Sequence, residues 1–144
     1  MYDAADHVFL PTWPPGTVMV LATQGETPHA IPVSAAVRAG PTTALVALGS
    51  QRSSLARLRS HPHVALVVLA AGDLAITAHG RASVLEESLV KGVAAVRVEV
   101  ERIQDHGRQE FVIESGVRWR WTDEHAQERD VEVRSALDRL AAGA

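Results

Sequence analysis

The fold is decided by residues 47–66, which read ALGSQRSSLARLRSHPHVAL. The stretch starts at the end of an apolar strand and continues through a polar turn with three serines and one arginine. Leu55 and Leu58 then follow at helical spacing. Pro62 cannot continue a helix and disfavours helical backbone at the residue before it. The stretch therefore predicts a strand, a short helix and a second strand in quick succession.

Apolar runs on both sides of this stretch predict an antiparallel sheet. Short turns, several of them with glycine, separate the runs, and strands joined in sequence by such turns pair antiparallel. Closure into a barrel would remove the exposed edges of the sheet. We therefore expect a mainly β (α+β) domain with six strands, over residues 17–23, 29–37, 43–48, 64–69, 74–85 and 94–102.

Two residues inside these strands, Pro32 and Gly80, predict local features of the sheet. Pro32 cannot donate to a sheet ladder, so its strand is predicted to be an edge at that point. Gly80 lies in the middle of a long strand, where glycine marks a bulge, a barrel corner or a close backbone contact. Residues 64–69 are continuously apolar and are expected to be covered on both faces.

The second half of the chain adds a link, a hairpin and a helix. Residues 86–92 are predicted to form a brief helical link, and residues 111–113 and 117–121 a last hairpin around Ser115 and Gly116. Residues 130–140 have the spacing of an amphipathic helix. Its apolar face is expected to consist of Val133, Ala136, Leu137 and Leu140.

Length and composition limit the classes of function. The 144 residues fit a single domain, 1–144, and the absence of cysteine excludes disulfides, thiolate metal sites and cysteine nucleophiles. The seven histidines show no metal-ligand spacing supported by carboxylates, so no metal site is predicted. A net charge of −3 with mixed signs argues against nucleic acid as a partner.

The apolar runs also bear on location. The longest one, residues 64–71, has eight residues and is too short to cross a bilayer. The first ten residues lack a basic start and a long apolar run, so we expect no signal peptide and a cytoplasmic location. Abundant Ala, Val and Arg with a single lysine indicate a GC-rich, bacterial coding sequence.

The turn between the third strand and the short helix predicts an anion site. Free amide groups and the positive end of the helix dipole favour a negative charge there. The hydroxyls of Ser50, Ser53 and Ser54 can donate further hydrogen bonds, and Arg52 can bind a phosphate through two N–H groups. In an alternative interpretation, Ser50 or Ser53 caps the helix and Arg52 is solvated.

Five segments, in order and at matching spacing, resemble the pyridoxamine-phosphate-oxidase-like family of flavin-binding split barrels. The resemblance runs from Gly16 to Arg102 and continues more loosely beyond. The segments are residues 18–23, residues 28–33, the third strand leading into Gly49 and Ser50, residues 58–66, and residues 79–82.

The resemblance implies a six-stranded antiparallel split β-barrel of Greek-key topology, with a short helix after strand 3 and a C-terminal helix. It also implies a homodimer whose interface holds two flavins, FMN or the deazaflavin coenzyme. The second strand would lie along the flavin ring, and the third strand with its turn would hold the ribityl chain and phosphate. The implied cofactor-binding residues are Ile31, Pro32, Val33, Ser34, Leu48, Gly49, Ser50, Arg52, Ser53, Ser54 and Arg57. The chain departs from the family in having Ser54 where a lysine is frequent and Arg57 where an asparagine is frequent.

The expected function is that of a flavin-dependent oxidoreductase that transfers hydride to or from a small organic substrate. No catalytic side chain is predicted, because the flavin supplies the chemistry. The alternatives are a non-catalytic flavin- or haem-binding module, with His29 or His79 as haem ligand, and a dimeric barrel without a ligand. Trp119 and Trp121 are interpreted as core or dimer packing, or as a lid on the cofactor.

Overall fold

The fold is a curled antiparallel sheet with two helices, seen in a computed structural model that describes residues 7–143. Met1–Asp6 and Ala144 lie outside the described residues. The expectation that the chain has no signal peptide concerns Met1–Asp6 in part and is not tested by the structure. The elements are β1 (Met19–Thr23), β2 (His29–Val33), β3 (Ala36–Gly40), β4 (Thr43–Gly49), α1 (Ser53–Ser60), β5 (His63–Ala70), β6 (Leu74–Val90), β7 (Val93–Asp105) and α2 (Glu124–Ala142).

The sheet closes because its two edge strands are consecutive in the chain. The strand order is β2-β1-β5-β6-β7-β4-β3, with every neighbouring pair antiparallel. Only Ser34 and Ala35 separate β2 at one edge from β3 at the other. The three steps from Val33 to Ala36 span at most about 10 Å, so the two edges must lie close together. β2 is accordingly in contact with β4, and the sheet forms a barrel.

The topology is the predicted Greek key. β5, β6 and β7 follow one another as antiparallel neighbours, and β7 then pairs with the earlier strand β4. The strand count is seven where six were expected, because residues 29–37 form two strands. The chain must bend at Ser34 and Ala35 to pass from one edge of the sheet to the other, and this bend ends the β2 ladder.

The barrel interior is filled by the alternate side chains of each strand. β7 alternates clearly, with Val96, Val98 and Val100 buried and the charged residues between them exposed. The main core cluster also includes Met19, Leu21, Val46, Leu58, Leu66, Val68 and Ile103. β5 alternates as well, and Leu69 is 51% exposed, so within the single chain residues 64–69 are not covered on both faces as expected.

Helix α2 packs on the outside of the barrel. Val133 and Leu137 form a second buried cluster with Leu45 and Ala95, which face outward from β4 and β7. The predicted apolar face is confirmed for Val133, Ala136 and Leu137, while Leu140 is half-buried. Asp123 is the N-cap residue of α2, and its side chain accepts a 2.8 Å hydrogen bond from the Ala126 amide.

The predictions for the two special strand residues are confirmed. β2, which contains Pro32, is an edge of the hydrogen-bonded sheet. The β6–β7 register shifts between His79 and Gly80. A Cβ atom at Gly80 would overlap the carbonyl oxygen of Glu99, so the two backbones approach more closely than any other residue type permits.

Two predictions for the second half of the chain are wrong. Residues 86–92 are not helical, because β6 continues to Val90 and pairs there with Val93. Residues 111–113 and 117–121 form no hairpin. They belong to a loop that lies on the barrel: Val18 donates its amide to the Val117 carbonyl, and Gly116 packs on the backbone of Leu69. The loop makes these contacts with distant parts of the chain, and its two halves do not pair with each other as a hairpin.

Neither helix of residues 7–143 is long and apolar enough to cross a membrane.

Candidate functional site

The turn between β4 and α1 is tied to the barrel by its own backbone. The Arg52 amide donates to the Gly49 carbonyl at 3.0 Å, which closes a tight turn. The Ser50 amide donates to the Gly92 carbonyl at 2.9 Å, in the turn between β6 and β7. Both amides are therefore occupied, and the turn is held at a defined distance from the barrel.

The amino-terminal end of α1 presents two backbone donors. Arg52 is the N-cap residue in extended conformation, and no side chain caps the helix, so the expected cap by Ser50 or Ser53 is wrong. Ser53 is already the first helical residue, and Ser50 is occupied in the preceding turn. Among residues 7–143, no acceptor contacts the amides of Ser53 and Ser54. These two amides lie at the positive end of the helix dipole.

The hydroxyls of the two serines have different environments. Ser53 is exposed, and its Oγ lies 3.5 Å from Nε2 of His29 on β2. Ser54 is 1% exposed, and its Oγ is buried without a hydrogen-bond partner within residues 7–143. Ser54 as a whole is therefore almost closed to solvent, and Ser53 is the serine that an anion can reach.

The two arginines of the predicted site also differ. The Arg52 side chain is exposed and passes next to Gly49. Arg57 is half-buried, and its Nη1 donates to the Thr27 carbonyl at 2.8 Å while the guanidinium packs on Gly25. Arg52 is thus the cation with an open approach, and Arg57 holds the β1–β2 turn against α1.

The predicted ring-binding strand presents alternate faces. Ile31 and Val33 pair with inward-facing residues of β1 and belong to the barrel core, while Pro32 is exposed on the outside. Ser34 is buried at the bend to β3. Leu48 is also buried in the core and positions Gly49 at the end of β4. The contact between His29 and Ser53 brings the start of this strand to the helix end.

A groove of about 460 Å³ lies elsewhere on the barrel and contains none of the predicted cofactor residues. Its lining side chains come from β1, β5, β6 and β7 and from the residue after β1. Polar members are Gln24, His63, His79, Glu101 and Arg102. The sequence pattern does not group these residues, and it singles out only His79, as an alternative haem ligand. The one available signal was Gly80, because a bulge can turn neighbouring side chains toward the same side.

Comparison with known proteins identifies the fold. No protein-family model and no curated protein matches the chain. Among solved structures, a provisional pyridoxamine 5'-phosphate oxidase from Listeria innocua is 18% identical, with a TM-score of 0.55, over 64% of this chain and 90% of that chain. An FAD-binding protein from Mesorhizobium loti is 14% identical, with a TM-score of 0.52, over 60% and 83%. A provisional flavin reductase from Haemophilus somnus is 15% identical, with a TM-score of 0.53, over 62% and 80%.

The chain has the pyridoxamine 5'-phosphate oxidase-like split-barrel fold.

In this split barrel, the two late tryptophans are surface residues. Trp119 and Trp121 contact each other edge to face, with ring centroids 6.2 Å apart, and are 43% and 40% exposed. Packing in the core of the chain is therefore excluded for them, and dimer packing and a lid on the cofactor remain. Phe111 and Val117 of the same loop are also exposed.

The split barrel has no evident metal site. Within residues 7–143, no three His, Asp or Glu side chains are grouped so that they could hold a metal ion.

Proposed function

We propose that the protein is a flavin-dependent oxidoreductase that binds FMN at a homodimer interface and transfers hydride to or from a small organic substrate. The observation on which the proposal depends is the β4–α1 junction. It offers the amide of Ser53, which has no acceptor among residues 7–143, and the exposed guanidinium of Arg52 in a fold shared with a provisional flavin reductase and an FAD-binding protein. The deazaflavin coenzyme is the alternative cofactor, and the proposal keeps the cytoplasmic location expected from the sequence.

The residues at the junction fit a phosphate group. The Ser53 amide at the helix end and the Arg52 guanidinium can both donate charge-assisted hydrogen bonds to a phosphate. The Ser53 hydroxyl is exposed next to them, and His29 is within reach of the same point. Ser50 and Gly49 would shape the turn, and Arg57 would keep it in place through Thr27.

The ring would lie on the outer face of the barrel next to β2. Pro32 is exposed there and has no amide hydrogen, so its backbone leaves no donor unsatisfied beneath an apolar ring. Trp119 and Trp121 provide exposed aromatic surface that could exclude water from such a ring.

A second copy of the chain is the proposed partner. The outer sides of β1 and β5 expose Val20 and Leu69, and β2 exposes Pro32 next to Val20. The loop with Phe111 and Val117 adds further apolar surface. A two-fold contact is the commonest way in which such a surface is buried in soluble oligomers.

The flavin and the protein residues would have separate roles in the reaction. When bound, a flavin accepts and donates hydride, which no side chain can do. Arg52 and the Ser53 amide would hold its phosphate, and β2 would fix the orientation of its ring. No side chain of the junction is positioned as an acid or base, so the accompanying proton would be exchanged with water.

The absorption spectrum of the purified protein, followed by titration with FMN and the deazaflavin coenzyme, tests the proposal. We expect bound flavin and, for the double variant Arg52→Ala/Ser53→Ala, an affinity lower by about tenfold or more, since a charge-assisted hydrogen bond contributes about 1.5–3 kcal/mol. The matched control is Arg139→Ala/Ser135→Ala, which removes the same side chains from the exposed face of α2 and should leave affinity unchanged. A protein that binds neither cofactor would contradict the proposal.

One observation favours a second candidate, a barrel without turnover. The side chain of Ser54, at the position of the frequent family lysine, is buried, and the Arg57 guanidinium is engaged by Thr27. The junction thus has one open cation, which would weaken flavin binding. A haem module would give a Soret band, with His29 or His79 as ligand, and a ligand-free barrel would remain colourless in both titrations.

A further inference from the structure

The groove of about 460 Å³ on the outer face of the barrel has the size of a small-molecule site. Ala22 and Ala65 are cross-strand partners on β1 and β5 and form part of its floor, together with Gly80. Their small side chains leave room above the sheet. The groove is bordered by His63, His79, Glu101 and Arg102, none of which belongs to the junction described above.

A β-bulge brings two opposite charges to this groove. His79 pairs with Arg102 and Gly80 pairs with Val100, so Glu101 is an extra residue on β7. Val100 and Ile103 are buried, and the consecutive residues Glu101 and Arg102 are both exposed instead of alternating. Gly80 permits this arrangement, because a Cβ atom there would overlap the Glu99 carbonyl. Bulges are frequent where a strand redirects a side chain next to a site.

Two side chains that border the groove, Glu101 and His79, have a hydrogen-bond acceptor without a partner among residues 7–143. A guanidinium can only donate, so the 3.0 Å contact with Arg81 makes Nε2 of His63 an acceptor. Nε2 of His79 donates to Oε1 of Gln104 at 2.7 Å, which makes Nδ1 of the neutral ring an acceptor. The Glu101 carboxylate has no hydrogen bond within residues 7–143, and its Oε1 lies 3.9 Å from His63 Nε2.

We propose that this groove binds a small zwitterion of the amino-acid type. Its ammonium group would donate to the Glu101 carboxylate and to Nδ1 of His79, the two open acceptors. Its carboxylate would accept from Arg102, whose guanidinium has five N–H groups and can serve more than one partner. The bulge, which places an acid and a base side by side on one face, matches a ligand with both charges. The proposal does not depend on flavin binding.

The test is a calorimetric titration of the protein with unbranched amino acids from glycine to 6-aminohexanoate. Each one is compared with the alkylamine and the carboxylate of the same length. We expect at least one zwitterion to bind with a Kd below about 10 mM. Its two single-charge analogues should bind at least about tenfold more weakly, because each lacks one charge-assisted contact.

Two variants locate the site. Glu101→Gln should lower the affinity for the best zwitterion about tenfold or more, whereas Glu128→Gln removes the same charge from the exposed face of α2 and should change it less than about twofold. The ring-proton signals of His79 should shift in NMR spectra during the titration. The proposal is overturned if no amino acid of the series binds, if a single-charge analogue binds equally well, or if Glu101→Gln has no effect.

Discussion

Ser54 illustrates how one position can differ from its expected role. Its hydroxyl is buried and has no partner in the described part of the chain, and an unsatisfied buried polar group costs about 1–3 kcal/mol. Ser54→Ala removes the hydroxyl and keeps the shape, so we expect the free energy of unfolding in urea to rise by about 1 kcal/mol. Ser53→Ala, at the exposed neighbour, should change it by less than about 0.5 kcal/mol. A loss of stability in Ser54→Ala would show that the hydroxyl has a partner in solution.

Gly80 is the residue on which the bulge depends. In Gly80→Ala the new methyl group would overlap backbone atoms of Glu99, which cannot rotate away as a side chain could. We expect the variant to lose about 3 kcal/mol or more, or to fail to fold. Gly40→Ala is the control, since no atom lies within 4 Å of a Cβ placed there, and it should change stability by less than about 1 kcal/mol. Equal melting temperatures of the two variants would contradict this reading of the bulge.

At the scale of elements, α2 is stabilised by one apolar stripe on the barrel. Leu137 is completely buried between the helix and the sheet, and Val131 on the same helix is 56% exposed. Leu137→Ala should lower the free energy of unfolding by about 2–5 kcal/mol because it leaves a cavity. Val131→Ala should lower it by less than about 0.5 kcal/mol. Urea denaturation followed by tryptophan fluorescence measures both, and similar losses would mean that α2 does not pack as described.

Most elements could be predicted from local periodicity, because alternation and helical spacing reflect one buried face. β7 and the Val133–Leu137 stripe of α2 are examples. The bend at Ser34, the extension of β6 and the loop over residues 107–121 could not be predicted in this way. Each depends on partners distant in the chain: the opposite sheet edge, β7, and the backbone of Val18 and Leu69.

The candidate site shows the same limit. The serine-rich turn before a helix was visible in the sequence, and so was the proline of an edge strand. The direction of each side chain was not, because burial of Ser54 and the contact of Arg57 with Thr27 depend on how α1 docks. The groove could not be found at all from separate residues, since a bulge decides which neighbours of Gly80 and Glu101 share a face.

At the scale of the whole molecule, the proposed dimer has a direct test. Leu69 is 51% exposed and belongs to the proposed apolar contact surface, and an arginine there would place an unpaired charge in a two-fold contact. We expect Leu69→Arg to sediment as a monomer at a concentration where the unmodified protein is a dimer. Val131→Arg, on the exposed side of α2, should remain dimeric. An unmodified protein that sediments as a monomer would refute the dimer.

The strand order also has a consequence for protein synthesis. β4 pairs with β7, and β1 pairs with β5. Each of these pairings joins two strands that are far apart in the chain. In a nascent polypeptide that has emerged from the ribosome only as far as β6, β4 has no β7 to pair with. The apolar side chains of β4 then face water. Edges of this kind recruit other chains. The interval between translation of β4 and of β7 is therefore the period in which pairing with another chain is most favoured.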